Sequence, residues 1–579
     1  MADPIVTVAA RLAPAFAKIA GAGAPIFDPT VRRSDRADAQ VNGSLALAKY
    51  LGLAPRDVAQ MALDAADLTG VCSAVEIAGP GFMNVTFANE FLASELARAA
   101  TDKNLGVRSA AVAKTVAIDY SAPNVAKEMH VGHLRSTVIG DALVRMLEFV
   151  GHRVIRENHI GDWGTPFGML IEHLIDLGEA AAAEELSVGD LDGFYRQARA
   201  KFEKDDLFKD RARNRVVLLQ SGDDETLRMW KLLVGESTRY FDRVYRALGV
   251  LLTSDDLMGE SAYNHLLPEV VERLSKAKML VTSDGAEVVF ADGFVNRDNE
   301  PLPLIIRKTD GGYNYATSDL ACVIDRVERL GANVILYVVG APQAQHLQMV
   351  DVVSRKAGWV PRSTEVTHVA FGNVLGNDRK ILKSRSGEVV KLDALLSEAV
   401  ERATNAVREK NPQLSDAAQL NIARQVGIGA VKYADLSTDR IKDYVFDWDR
   451  MLSFDGNTSP YLQYAHARIC SIFRKANVDR ASVRGITPTI GDEAERVLAM
   501  RVLQFDTAVW DALDKYSPHR LCTYLYELAS EFSAFYEHCP VLRADSDAQR
   551  ESRLALSDMT ARVLQSGLAL LGIDAPEQM

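Results

Sequence analysis

Two short stretches of the chain carry residues that could act on phosphate. The first is Ser121 to Ser136, SAPNVAKEMHVGHLRS, where His130 and His133 flank Gly132 and Lys127 stands just upstream. Imidazoles and an ammonium can donate to phosphate oxygens as charge develops on them, and a glycine between them lets a flat ring approach the backbone. A plainer reading competes: Ser121 or Asn124 caps a helix and the histidines are surface or core residues. The second stretch, GNDRKILKSRSGE, sets Lys380, Lys383, Ser384 and Arg385 between Gly376 and Gly387. A basic loop of this kind can fold over a leaving pyrophosphate; a solvated hairpin loop has the same composition.

Both stretches sit where a parallel sheet would place them. TVAIDY, from Thr115, is a short apolar run, and HLRSTVIGDALVRMLEFVG then aligns Leu134, Val138, Ala142 and Met146 on one helical stripe that Gly151 ends. HRVIRENHIGDWG supplies a second strand and a glycine loop, so strand, helix and strand form a βαβ unit. The runs LPLIIRK, NVILYVVG and EVTHVAFGNV are expected to be further strands of the same kind. In such α/β sheets ligands lie beyond the carboxyl ends of the strands and phosphates favour helix N-termini. The first stretch follows the first strand, and the second follows the last.

A charge-rich helical segment from about Ile175 to Ala277 reads as an insertion that splits the sheet into two halves. Residues 1–110 read as a small α/β unit, with Gly79-Pro80-Gly81 turning between two strands and TDKNLGVRSA as a linker. Beyond about Asp393 the chain reads as wholly helical, and SPYLQYAHARICSIFRKA opens what could be an independent bundle.

The bulk numbers narrow the class. At 579 residues, 48% hydrophobic and 25% charged, the chain suits a folded multi-domain protein. A formal net charge of -12 weighs against non-specific nucleic-acid binding but leaves room for a local basic face. The five cysteines are scattered with no Cys-x-x-Cys pair, against a disulfide framework or a cysteine zinc site. The N-terminal residues lack a basic segment before an apolar run, and no run is long enough to span a membrane, so a cytoplasmic location is expected.

Taken together, HVGH after the first strand and KILKS after the last resemble the HIGH and KMSKS motifs of class I aminoacyl-tRNA synthetases. The longer runs SAPNVAKEMHVGHLRST, NHIGDWGTPFGML, DGGYNYATSDLA, FGNVLGNDRKILKSRSG and MLSFDGNTSPYLQYAHARI resemble the arginyl-tRNA synthetases, in order and over nearly the whole chain. The resemblance implies a Rossmann-like parallel sheet with a helical insertion, a small N-terminal α/β domain and an all-α C-terminal anticodon-binding domain. The domains implied are 1–110, contacting the tRNA near its D-loop; 111–455, catalytic, with the insertion at about 175–277 and a stem-contact region at about 393–455; and 456–579 for the anticodon.

It further implies ATP-dependent activation of L-arginine, with ATP and Mg²⁺ but no zinc, and transfer to the 2′-hydroxyl of tRNA(Arg) by a monomer. His130 and His133 would stabilise the phosphate transition state, with Gly132 under the adenine. Val374 and His346 would lie on the ATP side, although a core histidine is the rival reading of His346. Lys383 and Ser384 would serve pyrophosphate. Leu382 replaces the middle serine of the loop motif, and Lys127 holds the position of a compensating lysine, so the division among Lys127, Lys380 and Lys383 stays open.

Arginine's guanidinium wants carboxylates, preferably bidentate. Asp119 ends the first strand and Asp319 follows GGYNYATS, so both could reach one pocket. By resemblance Asp319 is the main partner with Tyr315 alongside; Gln343 and Asp119 help, Asn124 sits near the amino acid's backbone end, and His130 also binds the arginine. Ser318 or Asp319 could instead cap the following helix. Trp163 reads as a packing corner. For the tRNA, Tyr461, Tyr464 and Arg468, interleaved with His466, Arg474 and Lys475, offer stacking faces and cations; the same tyrosines could be buried in the bundle. Three rivals remain: an RNA-free adenylyl- or nucleotidyltransferase, an inactive RNA-binding derivative, and a synthetase for another amino acid.

Overall fold

The computed structural model describes residues 3–178, 191–296, 298–309, 311–383 and 390–579. At its centre lies a parallel four-stranded sheet in the order Glu365–His368, Val334–Tyr337, Thr115–Asp119, Arg153–Glu157. Val334–Tyr337 is buried at every residue, as a strand covered on both faces must be. The helix Val131–Phe149 links two of the strands and buries Leu134, Val138, Ala142 and Met146 as its periodicity predicts. Two strands of this sheet precede the insertion and two follow it, as expected.

The insertion differs from its expected form. After the helices Thr165–Leu177, Leu191–Lys204, Asp206–Ser221 and Asp224–Leu248, it continues past residue 277 into a separate antiparallel sheet. Pro301–Arg307, the LPLIIRK run, does not join the parallel sheet but pairs antiparallel with Ala286–Val295, which pairs in turn with Val281–Ser283. The reason is alternation: Leu304 and Ile306 are buried while Pro303 and Ile305 are exposed, the mark of a one-sided sheet. Its inner face shares a core with the helices Leu267–Lys276 and Tyr315–Glu328.

The region after Asp393 is helical except for Tyr444–Val445, which pairs in parallel with Val374–Leu375. Nor does the C-terminal bundle stand apart from the rest, since one apolar core runs from Val8 to Ile573. Polar contacts cross the same boundaries. Lys432 Nζ, fully buried, donates to the Leu248 carbonyl at 2.9 Å and the Gly572 carbonyl at 2.6 Å. Arg496 bonds Asp38, Asn89 and the Phe87 carbonyl, fastening the N-terminal sheet to the bundle. That sheet is antiparallel, with Phe82–Phe87 between Cys72–Ala78 and the short strand Ala39–Val41, beyond which lies Val31–Arg32.

Asp119 and Glu157 end neighbouring strands directly opposite each other. Both are buried, and the buried Arg326 donates from Nε to Glu157 Oε2 at 2.5 Å and from Nη2 to Asp119 Oδ2 at 2.9 Å. Replacing Arg326 by Met strands two buried carboxylates. Urea unfolding is expected to show a loss of about 3–5 kcal/mol, and a loss below about 1 kcal/mol would mean that the triad is dispensable.

Candidate functional site

The loop leading to the histidine pair is held in a costly shape. Ser121, Ala122 and Ala126 adopt left-handed φ angles of 73°, 46° and 56°, a strain that clusters at functional sites when the surroundings over-determine it. The surroundings here are side chains. Ser121 N–H donates to Ser136 Oγ, Ala122 N–H to Asn158 Oδ1, Ala126 N–H to Ser237 Oγ and Met129 N–H to Tyr240 Oη, at 2.8–3.1 Å. Ser237 and Tyr240 belong to the insertion helix Asp224–Leu248, so the insertion moulds this loop. Asn124 is exposed, its side chain lying against Gly161, where a Cβ would come within 2.4 Å of Asn124 Oδ1.

Neither Ser121 nor Asn124 caps the following helix. His130 does, and His133 reciprocates: Gly132 N–H donates to His130 Nδ1 and His130 N–H to His133 Nδ1, each at 3.0 Å. A Cβ on Gly132 would meet His130 Cε1 at 2.8 Å, so the ring that the glycine admits is that of His130. Both Nδ1 atoms therefore accept, and in neutral rings both protons sit on Nε2. Burial lowers the pKa of His130 and, together with the neighbouring His130 ring and Lys127, pushes His133 down to about 3. The pair offers two uncharged Nε2–H donors, with ring centroids 3.9 Å apart.

The first phosphate-type stretch is stitched to the residues that follow the second. Val131 N–H donates to the Val390 carbonyl at 3.0 Å and Leu392 N–H to the Met129 carbonyl at 2.9 Å, while Lys391 Nζ lies 2.9 Å from Glu128. Upstream of that seam, Val374 is buried and its carbonyl accepts from Leu382 N–H at 3.0 Å; Gly376 N–H donates to the Lys380 carbonyl at 2.8 Å. This hairpin exposes Lys380 and Lys383. Ser384, Arg385 and Gly387 lie outside the described residues. Lys127 is half-buried.

A cluster of polar side chains lies at the start of the helix Tyr315–Glu328. Asn314 caps that helix, its Oδ1 accepting from Tyr315 N–H at 3.0 Å, so capping by Ser318 or Asp319 is ruled out. Asp319 Oδ2 instead lies 2.5 Å from His346 Nε2, and the Tyr315 and His346 rings are 4.9 Å apart. His159, Asp319 and Cys322 bring ligand atoms within 4.8 Å of one another. Burial pushes the Cys322 thiol up, which disfavours the thiolate, and a thiol with an imidazole does not suit Mg²⁺. Gln343 is exposed on the turn Ala341–Gln343 just before the helix that carries His346.

Asp119, expected to help hold the substrate, has Oδ2 bound to Arg326, while its Oδ1 is buried without a hydrogen-bond partner. Sequence reasoning missed Glu260. Burial raises its carboxyl to about 7, with Asp162 and Asp319 adding negative charge nearby and His159 opposing. A lone glutamate in GESAYN carries no pattern, and only the fold reveals its neighbours. Trp163 is the packing corner expected of it, edge-on to Trp230 at 5.9 Å.

On the helix Ser459–Ala476, Tyr464 is 39% exposed and lies between Arg468, 4.8 Å over its ring, and Phe454, edge-on at 6.3 Å; Lys410 Nζ in turn lies 3.4 Å over Phe454. Tyr461 is half-buried against Tyr526 at 5.7 Å. His466 does not share that surface: it is fully buried and its Nδ1 bonds the Pro576 carbonyl at 3.0 Å. Arg474 is likewise engaged, donating to the Glu577 carbonyl at 3.0 Å.

Comparison with known proteins decides the family. Residues 95–448 match the model of the tRNA synthetases class I (R) catalytic domain, 462–579 the DALR anticodon binding domain and 7–87 the arginyl tRNA synthetase N terminal domain. The arginine–tRNA ligase of Thermobifida fusca is 54% identical over 579 residues, covering 100% of both chains. That of Klebsiella pneumoniae is 50% identical over 562 residues, 96% of this chain and 97% of its own. The chain belongs to the arginyl-tRNA synthetases. Among solved structures, the arginyl-tRNA synthetase of Plasmodium falciparum superposes with a TM-score of 0.85 at 27% identity, covering 99% of each chain. That of Thermus thermophilus gives 0.84 at 26%, over 99% of this chain and 100% of its own.

In this arginyl-tRNA synthetase family member the HVGH histidines thus stand at the helix start as neutral rings whose Nε2–H groups are the donors. With its pKa lowered from 6.5 to about 3, His133 favours folding in its neutral form. That stability is fully present above 6.5 and drains away as the pH falls toward 3. Nitrogen NMR of labelled histidine is expected to show the His133 ring with Nδ1 unprotonated and no titration near 6.5. A normal imidazole titration, assigned by its loss in His133→Asn, would contradict both the tautomer and the capping role.

Proposed function

We propose that the chain ligates L-arginine to tRNA(Arg) in two steps, each assigned to particular residues. The observation that carries this reading is the neutral histidine pair at the helix start, whose loop is joined at Met129–Val131 to Val390–Leu392, the residues that follow the lysine loop in the chain. It is supported by likeness to arginine–tRNA ligases over the full chain.

In the first step the arginine carboxylate attacks the α-phosphate of ATP, the bond to the bridging oxygen breaks and pyrophosphate leaves. Charge grows on the phosphate oxygens, where His130 and His133 donate through Nε2–H without needing a proton from solvent. Lys127 adds positive charge on the same side. Lys380, Lys383 and Ser384 attend the pyrophosphate, which Mg²⁺ accompanies as part of the ATP substrate. Gly132, Val374 and His346 border the nucleotide. In the second step the 2′-hydroxyl of the terminal adenosine attacks the arginyl carbonyl carbon, and AMP leaves.

The guanidinium is held by Asp319, which His346 orients, and by Glu260, with Tyr315 alongside and Gln343 at the rim. Asn124 and His130 meet the amino acid's backbone groups. Asp119 helps by fixing Arg326, its buried Oδ1 having no hydrogen-bond partner. The exposed Tyr464–Arg468 pair, with Tyr461 behind it, stacks and neutralises the anticodon loop. The enzyme works as a monomer in the cytoplasm; all five cysteines are free thiols, and no helix among the described residues is long and apolar enough to cross a membrane.

Two measurements test this. ATP–pyrophosphate exchange is expected to require arginine and cognate tRNA and to fall about a hundredfold or more in Asp319→Ala, which leaves a buried cation unpaired. No exchange from folded, ATP-binding protein with tRNA present would overturn the assignment. Arginine binding should also depend on pH. Before arginine binds, Glu260 is protonated below about 7, so the guanidinium must displace a proton there and affinity rises with pH up to about 7. Calorimetry in buffers of different ionisation heat should detect that proton release in the wild type and not in Glu260→Gln; equal release in both would remove Glu260 from the pocket.

A further inference from the structure

Lys127 does not extend freely from the histidine loop. Its Nζ lies 4.4 Å over the centroid of the Tyr195 ring. Tyr195 is half-buried on the insertion helix Leu191–Lys204, on which Asp192, three residues earlier, accepts from Glu128 N–H at 3.0 Å. Residues three apart on a helix share a face, so one face of this helix grips two successive residues of the loop, one by its backbone and one by its side chain. Between them Phe194 is fully buried against His173, ring centroids 4.8 Å apart, which fixes the helix at this point. Lysine is a flexible four-carbon stem with a compact charge, and an aromatic face below the ammonium restricts where that charge dwells. The ammonium also stays close enough to both imidazoles to help lower the pKa of each.

We infer that Tyr195 is a positioning residue for adenylate formation: its ring holds the Lys127 ammonium beside His130 and His133, where the triphosphate arrives. The inference rests on the phosphate role proposed above for Lys127. It makes the inserted helix part of the catalytic apparatus, although Tyr195 itself touches no substrate. The contact uses the face of the ring and not the hydroxyl, so Phe can replace Tyr and Leu cannot.

The test is exchange kinetics on the full-length enzyme with cognate tRNA, for Tyr195→Phe, Tyr195→Leu, Lys127→Ala and the double variant Lys127→Ala/Tyr195→Leu. Tyr195→Phe is expected to keep kcat within about twofold, and Tyr195→Leu to lose about twofold to thirtyfold in kcat, the range a cation–π contact spans. The KM for arginine should not move in either. In the Lys127→Ala background the leucine change should cost nothing more. Four results would overturn the inference: equal losses in the Phe and Leu variants, an unchanged or faster Leu variant, a rise in arginine KM matching the fall in kcat, or losses that multiply in the double variant. Full exchange in Lys127→Ala would overturn the phosphate role of Lys127 itself, whereas loss there with a normal Tyr195→Leu enzyme would sink the Tyr195 inference alone. Should the leucine variant not fold, phenylalanines of increasing fluorination at position 195 weaken the ring face at nearly constant volume. Exchange should then fall stepwise with fluorination, and a flat series would be decisive against the idea.

Discussion

Arg326 holds the two strands of the first half of the catalytic sheet in one electrostatic arrangement. The strands Thr115–Asp119 and Arg153–Glu157 both end in a carboxylate at the ligand side, opposite each other in register. Two buried like charges that close cannot both ionise without a cation. The cation comes from the far side of the insertion, on the helix Tyr315–Glu328. On that helix Asp319, Cys322 and Arg326 recur at i, i+3 and i+7, one face over about two turns. The residue that neutralises the strand ends therefore also sets the height and rotation of the Asp319 carboxylate. A shift of Arg326 would carry Asp319 and Tyr315 with it.

The histidine loop shows a second economy. Its left-handed residues are tolerated because side chains satisfy their backbone N–H groups, Ser136 and Asn158 from the sheet region and Ser237 from the insertion. The bonds that finish the helix Val131–Phe149 are the same bonds that fix the imidazole tautomers. A serine cap would complete the helix equally well, yet it would leave no ring donor at its tip. Gly132 is part of the same device, since any side chain there would displace the His130 ring.

How much of this was legible in the sequence depends on whether local pattern or tertiary setting supplies the meaning. The stripe Leu134, Val138, Ala142 and Met146 declared its helix because burial follows its period, and the split sheet followed from the order of apolar runs. Pro301–Arg307 misled because an apolar run was read as doubly buried, although Pro303 and Ile305 alternate outward. For Asp319 the sequence left capping as a rival to guanidinium recognition, because capping residues and binding carboxylates share composition; Asn314, one residue before Tyr315, removes the capping reading. His466 was indistinguishable from its neighbours until the Pro576 carbonyl claimed it. Glu260 and Tyr195 carry no local signal at all. Each acquires its role from groups scores of residues away in the chain.

The lysine hairpin is braced from two directions. On its far side the seam at Met129–Val131 ties Val390–Leu392 to the histidine loop. On its near side Val374–Leu375 pairs with Tyr444–Val445, and Asp443 accepts from Asn373 N–H at 2.5 Å. Arg440, just upstream, donates both to the Ala370 carbonyl at 2.6 Å and to the Tyr516 carbonyl at 2.9 Å. Tyr516 lies in the C-terminal bundle, so one guanidinium touches both the connector that leads to the lysine hairpin and the bundle that carries the exposed Tyr464–Arg468 surface. Burial lowers the pKa of Arg440, as it does for a guanidinium held more by carbonyls than by a carboxylate. Such a group is sensitive to small changes in distance, because carbonyl dipoles fall off faster than a full charge does. The entrance to the hairpin is thus set by the seating of the bundle, and its exit by the histidine loop.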